Sequence, residues 1–402
     1  MANTLLTIDM ITRKALEILE NNLVITRNVN RQYDNSYAVE GAKIGTTLRI
    51  RLPDRALVTD GAALQVQDDN EQFTTLTVAS QKHIGVNFTT AEMTMQLDDF
   101  AERVLKPRIS QLAASIDADV ANSFNGIFQS VGTPGTTPSS TQVLLAAQQK
   151  LNEAAAVMSP RYVTVNPAAN AALIEGMKGL FNPVSTISAQ FKNGMFGEGI
   201  LGFNELNMSQ SIKQFTTGSR AAASVTVKGT VSTQGASTIT LNGVTGETLK
   251  KGDVFTIANV FAVNPQTRES TGSLQQFVVT EDITAASSEY LNVKISPAIY
   301  TSAHALATVN SFPQNSAAVT FLGGVSTQYP QNLVYHRDAI AFATADLLMP
   351  QGVDMASRQV HNGISMRVVR QYDINNDRMP CRIDVLYGYS VIRPQMACRI
   401  WG

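Results

Sequence analysis

The sequence predicts an α+β chain: a long helix on which strands are laid, and an all-β barrel inserted late in the chain. Three observations carry this. Large apolar residues in 107–129 recur at the helical period. Residues 41–90 alternate apolar and polar with period two. From about 221 to 327 Ser, Thr, Val and Gly dominate and helical periodicity vanishes, then helix–strand alternation resumes, so this stretch reads as a module set into a host domain.

Residues 8–21, IDMITRKALEILEN, read as an amphipathic helix with Asp9 as N-cap and Asn21–Asn22 as stop. Met10, Ile11, Ala15, Leu16 and Leu19 make an apolar face that must bind a partner or its own domain. Farther on, Leu48, Ile50 and Leu52 alternate with Thr47, Arg49 and Arg51. Leu76 and Val78 alternate with Thr75 and Thr77, and Ile84, Val86 and Phe88 follow. Between the first two runs lies a polar excursion, Pro53–Gln72, holding Asp60, Gly61, Asp68, Asp69 and Glu71. A basic strand, Arg49 and Arg51 with Arg55 just beyond, thus leads into an acidic tip. A hairpin this extended is hard to stabilise alone and gains order by lying across a neighbouring subunit. Lys43 and Lys82 flank it and read as surface residues.

The spine presents Ile109, Leu112, Ile116, Val120, Phe124 and Ile127 on one face. Arg108, Ser110, Gln111, Ser115, Asp117, Asp119 and Asn122 lie between them. Pro107 suits a first helical turn, and Gly132, Pro134 and Gly135 stop the helix. After a Gly/Pro/Ser/Thr linker, Gln142–Ala156 reads as a helix, Tyr162–Val165 as a strand, Ala168–Gly176 as a helix and Phe181–Gly202 as loop. In the module the candidate strands are Ser224–Lys228, Thr238–Leu241, Val254–Ile257, Gln276–Thr280, Tyr290–Ile295 and Ala318–Phe321. The loop Asn264–Ser273, with Arg268 and Glu269, is polar and exposed. Asn332–His336 reads as a strand leading into a short helix, Arg337–Ala345. Ile364–Val369 and Arg382–Tyr387 are alternating strands around a turn-rich DINND segment. Met396–Ile400 closes the chain in extended form.

The 402 residues are 44% apolar and 16% charged, enough for real cores with a low-charge surface suited to contact between copies. Lys plus Arg is 31 and Asp plus Glu is 32, without the basic excess of a dedicated nucleic-acid binder. Asp9, Arg13, Lys14, Glu17 and Glu20 interrupt any signal-like apolar run, and no stretch is apolar enough to span a membrane. A cytoplasmic site of synthesis and no membrane partner are the expectations. Cys381 and Cys398 read as two reduced core thiols.

A search for chemistry finds no catalytic constellation, so the expectation is no enzyme, no cofactor and no metal. His83, His304, His336 and His361 are scattered. The stretch Gly246–Asp253 lacks the Gly-Lys-Ser/Thr ending of a phosphate loop and reads as a hairpin turn. Asp373, Asn375 and Asp377 copy the start of a calcium loop, but Arg378 replaces its glycine.

The order of parts resembles the major capsid proteins of tailed bacteriophages, the Hong Kong 97 fold, and within them the P22-type podovirus coat proteins. The segments that carry the likeness are MQLDDF (95–100), LNGVTGETLKKGDVFTIANV (241–260), NLVYHRDAIAFATADL (332–347) and CRIDVLYGYSVIRPQMACRI (381–400). The resemblance implies an N-arm (1–40), an E-loop hairpin with strands (41–90) and a peripheral-domain spine helix (91–131). It further implies the first part of an axial lobe (132–221), an inserted β-barrel (222–327), and closing strands of the axial and peripheral domains (328–402). The function it implies is a shell of pentamers and hexamers around phage double-stranded DNA, assembled in the host cytoplasm. Partners would be a scaffolding protein, a portal protein and DNA held by non-specific contact. Arg49, Arg51, Arg55, Asp68, Asp69, Glu71, Arg268 and Glu269 are the candidate subunit contacts. The alternative reading is a non-enzymatic β-rich adhesin or carbohydrate-binding protein built on the Ser/Thr-rich module.

Overall fold

A computed structural model of the chain describes residues 8–31, 47–58, 61–62, 66, 71–89, 106–176, 197–220 and 225–402. Asp68, Asp69, Lys43 and the 95–100 segment lie outside the described residues. The chain divides into two compact units. The first holds 1–50, 74–120 and 340–390; the second holds 51–73, 121–339 and 391–402.

In the first unit the long strand Arg378–Val391 pairs with Ile364–Arg370, Ser80–Thr89 and Ile340–Ala345, and Met355–His361 flanks Ile364–Arg370. Ile340–Ala345 corrects the short helix expected over 337–345: only Arg337–Ala339 is a helical turn, of the 3-10 type. Residues 340–344 are all buried, and a short buried apolar run has no period to tell strand from helix. Phe342 stacks on Tyr387 with ring centroids 5.7 Å apart. Gly388 lets two chain segments touch, since a Cβ there would fall 2.1 Å from the Thr77 carbonyl oxygen.

The long helix runs Lys106–Ala121, with Ile109, Leu112, Ile116 and Val120 buried as the period requires. It is shorter than predicted. Asn122–Gly126 tightens into a 3-10 turn and Ile127 is extended. Asn and Ser compete for backbone hydrogen bonds there and favour the break. The polar face of the helix is not a solvated one. Asp117 is buried and accepts the N–H groups of Val24 (2.5 Å), Ile25 (3.3 Å) and Thr26 (3.0 Å) and the Thr26 hydroxyl (2.6 Å). Asp119 accepts the Tyr387 hydroxyl at 2.6 Å and meets Lys82 Nζ at 2.6 Å. Lys82 also donates to Ser115 Oγ at 2.6 Å, so it is half-buried and engaged rather than a surface lysine. The helix is held on both sides, by apolar packing and by charge-assisted hydrogen bonds.

The N-terminal helix, Ile8–Asn22, buries Ala15, Leu16 and Leu19 and packs on the strand Met355–His361, so its apolar face is covered by its own unit. Asp9 lies within the first turn instead of capping it, and its carboxylate accepts the Ser357 hydroxyl at 2.6 Å.

In the second unit Gln328–His336 is the central strand of a seven-stranded mixed sheet. It pairs antiparallel with Ala397–Trp401 and Arg161–Val165, and near its start with Gln214–Thr216. Ser130–Val131 extends one side and Phe203–Met208 with Gly197–Ile200 the other; these last two strands replace part of the expected 181–202 loop and the stretch beyond it. The helices Thr141–Glu153, capped by Ser140, and Pro167–Gly176 complete the lobe. Ala397–Trp401 is buried at every residue, as the apolar chain end foretold.

Between Val225 and Thr327 the pairings run Val319–Phe321, Val254–Val263, Ser270–Val279, Glu289–Ile299, Ala236–Asn242. Single bridges Thr226↔Ala318 and Val227↔Leu241 link the two outer members. Val227, Leu241, Phe255, Phe277, Tyr290 and Val293 are among the side chains in the interior, and the two Phe rings stack at 5.7 Å. Four strands are longer than predicted: Ala236–Asn242, Val254–Val263, Ser270–Val279 and Glu289–Ile299. In the Val254–Val263/Ser270–Val279 hairpin the register shifts after Thr256 and Asn259 takes a positive φ of 64°. A bulge breaks the period-two signal.

One cross-strand network in the first unit sets an acid limit. Asp384, fully buried, sits opposite Arg367 and accepts its Nη2 at 2.6 Å and Arg382 Nε at 2.6 Å. Burial works to raise its carboxyl, but the two arginines outweigh it and the net value lies below the ordinary 3.8. A carboxyl lowered on folding contributes stability that is present above the ordinary value and lost as pH falls through the lower folded one. Asp384→Asn should therefore destabilise the protein near neutral pH by about 3–5 kcal/mol. The deficit should shrink as wild type and variant are compared at pH values below 3.8. Urea melts across that range check it, and a deficit independent of pH would refute the assignment.

Candidate assembly surface

The hairpin strands Thr47–Arg51 and Phe73–Thr77 pair, with Ile50 and Leu76 buried and Arg49, Arg51, Thr75 and Thr77 exposed. Strand alternation puts both arginines on the outer face. Arg51 meets Glu71 of its own chain at 3.2 Å, with side chains 79% and 59% exposed. An exposed pair of this kind is worth about 0–1 kcal/mol. Glu71, expected to serve a neighbour's arginine, thus already faces one of its own chain where the paired strands open into the loop.

Arg55 departs from the row. It is half-buried in a cleft of about 410 Å³ shared with Gln72, Phe128, Gln129, Leu274 and Arg393. Desolvation holds its guanidinium below the usual arginine value. Gln72 Nε2 donates to the Tyr300 hydroxyl at 3.4 Å, within the second unit.

Arg268 and Glu269 lie on the turn joining the longest module hairpin. Asn264 organises it, accepting the N–H groups of Gln266 (2.8 Å), Thr267 (3.3 Å) and, through its carbonyl, Arg268 (2.8 Å). Glu269 is exposed and Arg268 half-buried at a positive φ of 60°. The two are neighbours on a defined turn and are not brought near Arg49 or Arg51 by any bond among the described residues.

The residues that attach the module were not singled out from sequence. Asp253, fully buried, accepts Arg220 Nη1 at 2.8 Å, Lys250 N at 2.8 Å and Gly218 N at 3.1 Å. Arg220 Nη2 donates to the Leu322 and Gly323 carbonyls at 2.8 and 3.1 Å. One ion pair so joins Gly218–Arg220, Leu322–Gly323 and the Lys250–Asp253 turn between them in sequence. Burial raises the Asp253 carboxyl and lowers the Arg220 guanidinium, each opposed by the other's charge. A Cβ on Gly218 would fall 2.2 Å from the Thr248 carbonyl oxygen, so the approach needs glycine. The Gly-Asp that ends the supposed phosphate-loop lookalike was the available signal. No helix follows it; the strand Val254–Val263 does. Nearby, Arg399 is completely buried, donates to the Gly252 carbonyl at 2.9 Å and lies over the Trp401 ring at 5.4 Å. Burial pulls its guanidinium down to about 9.

Among the described residues no group of His, Cys, Asp and Glu could hold a metal ion, and no helix is long and apolar enough to cross a membrane. Cys381 and Cys398 are both free thiols, and burial pushes Cys398 up to about 12. What the geometry offers is faces, turns and a cleft.

The family profile described as "P22 coat protein - gene protein 5" matches residues 1–402. The chain belongs to the P22 coat protein family. It is a major capsid protein, whose copies assemble into the shell of a phage particle. The adhesin alternative gives way to that match. No curated protein sequence matches the chain. Among solved structures it is similar to "Mycobacterium phage Che8", at 12% identity and TM-score 0.46 over 94% of this chain and 90% of the other. "Capsid of Ralstonia phage GP4" follows at 9% and 0.44 over 89% and 83%. "Crystal structure of virus-like particle from Pyrococcus furiosus" aligns at 8% and 0.41 over 97% of each chain.

The Asp253–Arg220 pair yields a direct expectation for this coat protein. Arg220→Met leaves the buried Asp253 carboxylate without its ion-pair partner and should destabilise the second unit by about 3–5 kcal/mol. Adding Asp253→Leu should recover most of that loss, because removing both charges avoids the unpaired one. Urea denaturation of the two variants measures it; additive losses would mean that the pair is not coupled.

Proposed function

We propose that the coat protein builds its shell with the Hong Kong 97 arrangement. Residues 1–40 would act as N-arm, 41–90 as E-loop, 91–131 as spine, 132–221 and 328–402 as axial and peripheral domains, and 222–327 as an inserted β-barrel. Copies cluster as pentamers and hexamers around double-stranded DNA, which they touch without sequence preference. Assembly takes place in the host cytoplasm with a scaffolding protein and a portal. The role is structural and calls for no catalytic residue or cofactor. The family match along the whole chain is the observation that carries this reading. The near balance of 31 basic and 32 acidic residues supports it, since many copies pack without large mutual repulsion.

Within the shell, Arg49 and Arg51 serve contact between subunits, with Asp68, Asp69 and Glu71 of an adjacent copy as their carboxylates. Their exposure supports this, and a planar guanidinium suits bidentate binding. Arg268 and Glu269 serve the same purpose on the module's turn. Electron microscopy of the purified protein should show closed shells or capsomers; dispersed monomers under every condition would overturn the assembly. Arg49→Ala with Arg51→Ala should leave the melting temperature unchanged and lower the yield of closed particles. The expected loss is up to roughly fivefold per contact at low salt, and smaller at high salt, where screening already weakens these pairs in the wild type. Unchanged yield at all salt concentrations would make the arginines mere surface.

The β-barrel reading is supported by the ring of pairings and the interior Phe255–Phe277 stack. Expressed alone from Gly218 to Thr327, so that Arg220 stays with Asp253, the segment should give a β-type circular dichroism spectrum and dispersed amide resonances. A coil spectrum would refute an independent barrel.

A further inference from the structure

Two features of the described residues fit one another across copies. The first is the cleft of about 410 Å³ in the second unit. Its floor is apolar, built from Phe128, Leu274 and Met396, and its volume lies in the range that holds a ligand or a few side chains. Five charged residues line it. Lys150 is engaged by Glu153 at 3.9 Å and by Ser273 Oγ at 3.0 Å, so that pair cancels. Asp54 is exposed at the rim. Arg55 and Arg393 are half-buried and have no acidic partner among the described residues. Gln129, 6% exposed, also lines the cleft, and its Oε1 accepts no hydrogen bond. A buried acceptor and two partly desolvated guanidiniums are costly without partners. Together they ask for a group with carboxylates, a backbone N–H and an apolar side chain: a short acidic polypeptide segment.

The second feature is such a segment. The turn Tyr372–Asp377 leaves Ile374 80% exposed, an aliphatic side chain standing in water, flanked by Asp373 and Asp377. The turn is held rigid from within. Asp373 N donates to the Arg378 carbonyl at 2.8 Å, Asp373 accepts Asn375 N at 3.1 Å and Asn376 Nδ2 at 2.7 Å, and the Tyr372 hydroxyl donates to Asp377 at 3.0 Å. An ionised carboxylate can accept several donors at once, so one donor in place does not bar a guanidinium. A preorganised loop loses little entropy on docking. Counting Arg378, the turn carries a net charge of −1; counting all five lining residues, the cleft carries +1.

We propose that in the assembled shell the cleft receives the Tyr372–Asp377 turn of a second copy of this chain, Ile374 on the apolar floor and its two carboxylates facing Arg55 and Arg393. The inference rests on assembly into a shell. It gives Arg55 a partner other than the acidic hairpin tip, and it makes an unremarkable turn, and not only the hairpin, a contact between copies. Salt weakens the carboxylate–guanidinium part and leaves the Ile374 part.

The test is an electron cryomicroscopy reconstruction of shells formed by the wild-type protein, paired with two variants. Ile374 of one copy should lie in the cleft of another. Ile374→Ser, and separately Arg55→Ala with Arg393→Ala, should keep the monomer melting temperature and cut shell yield by roughly tenfold, the factor expected of a buried anchor. A shell whose cleft is open, or filled by another segment or molecule, overturns this inference and leaves the capsid role intact. Normal yield from both variants does the same. Failure of the wild-type protein to form any shell overturns both. The reconstruction needs no substitution, so a variant that misfolds does not rescue the idea.

Discussion

The buried carboxylate of Asp253 is the contact on which the second unit's organisation turns. Gly218 and Leu322 are about a hundred residues apart, and closing so long a loop carries an entropic cost that local contacts must offset. Asp253 concentrates the closure at one point. Its donors come from the departing chain (Gly218, Arg220) and from the turn inside the module (Lys250), while Arg220 reaches on to the returning chain at Leu322 and Gly323. With every partner present the pair is a specific clasp; with one removed it is an unpaired charge in an apolar interior. Arg399 and Trp401, from the chain terminus, pack beside the same turn, so the last strand and the module are fixed by neighbouring interactions.

The first unit solves a different problem with the same chemistry. A long amphipathic helix needs only its apolar face to dock on a sheet, yet here Asp117 and Asp119 fasten the other side as well. Asp117 caps the turn after the N-terminal helix, and Asp119 holds Lys82 and Tyr387 on two strands of the sheet. Apolar packing alone tolerates sliding; directional, charge-assisted bonds at three points do not. A subunit that must repeat its shape many times in one shell has use for such a definite geometry.

The surface completes this logic. The chain keeps its most sequestered ion pairs inside and leaves only weak ones exposed. Arg51–Glu71 and Lys250–Asp282 are exposed and worth little singly, whereas Arg220–Asp253 and Arg367–Asp384 are sequestered.

Much of this was legible in the amino-acid order because it is local. Period 3.6 in 107–121 and period two around Leu48–Leu52 and Leu76–Val78 follow from how consecutive side chains project from a backbone, and the composition shift near 221 marks a segment with strands and turns but no helix. The apolar tail likewise announced a buried strand, and ordered motifs along the chain announced the capsid family. Tertiary structure decided what depends on distant partners. Ile340–Ala345 became a strand because the sheet beside Tyr387 buried both of its faces. Lys82 became a half-buried partner because Asp119 and Ser115 came to it. Arg55 left the company of Arg49 and Arg51 for a cleft whose walls come from elements as far apart in sequence as Gln72 and Met396. Periodicity records which way a side chain points from its own backbone; only the folded chain determines what it meets there.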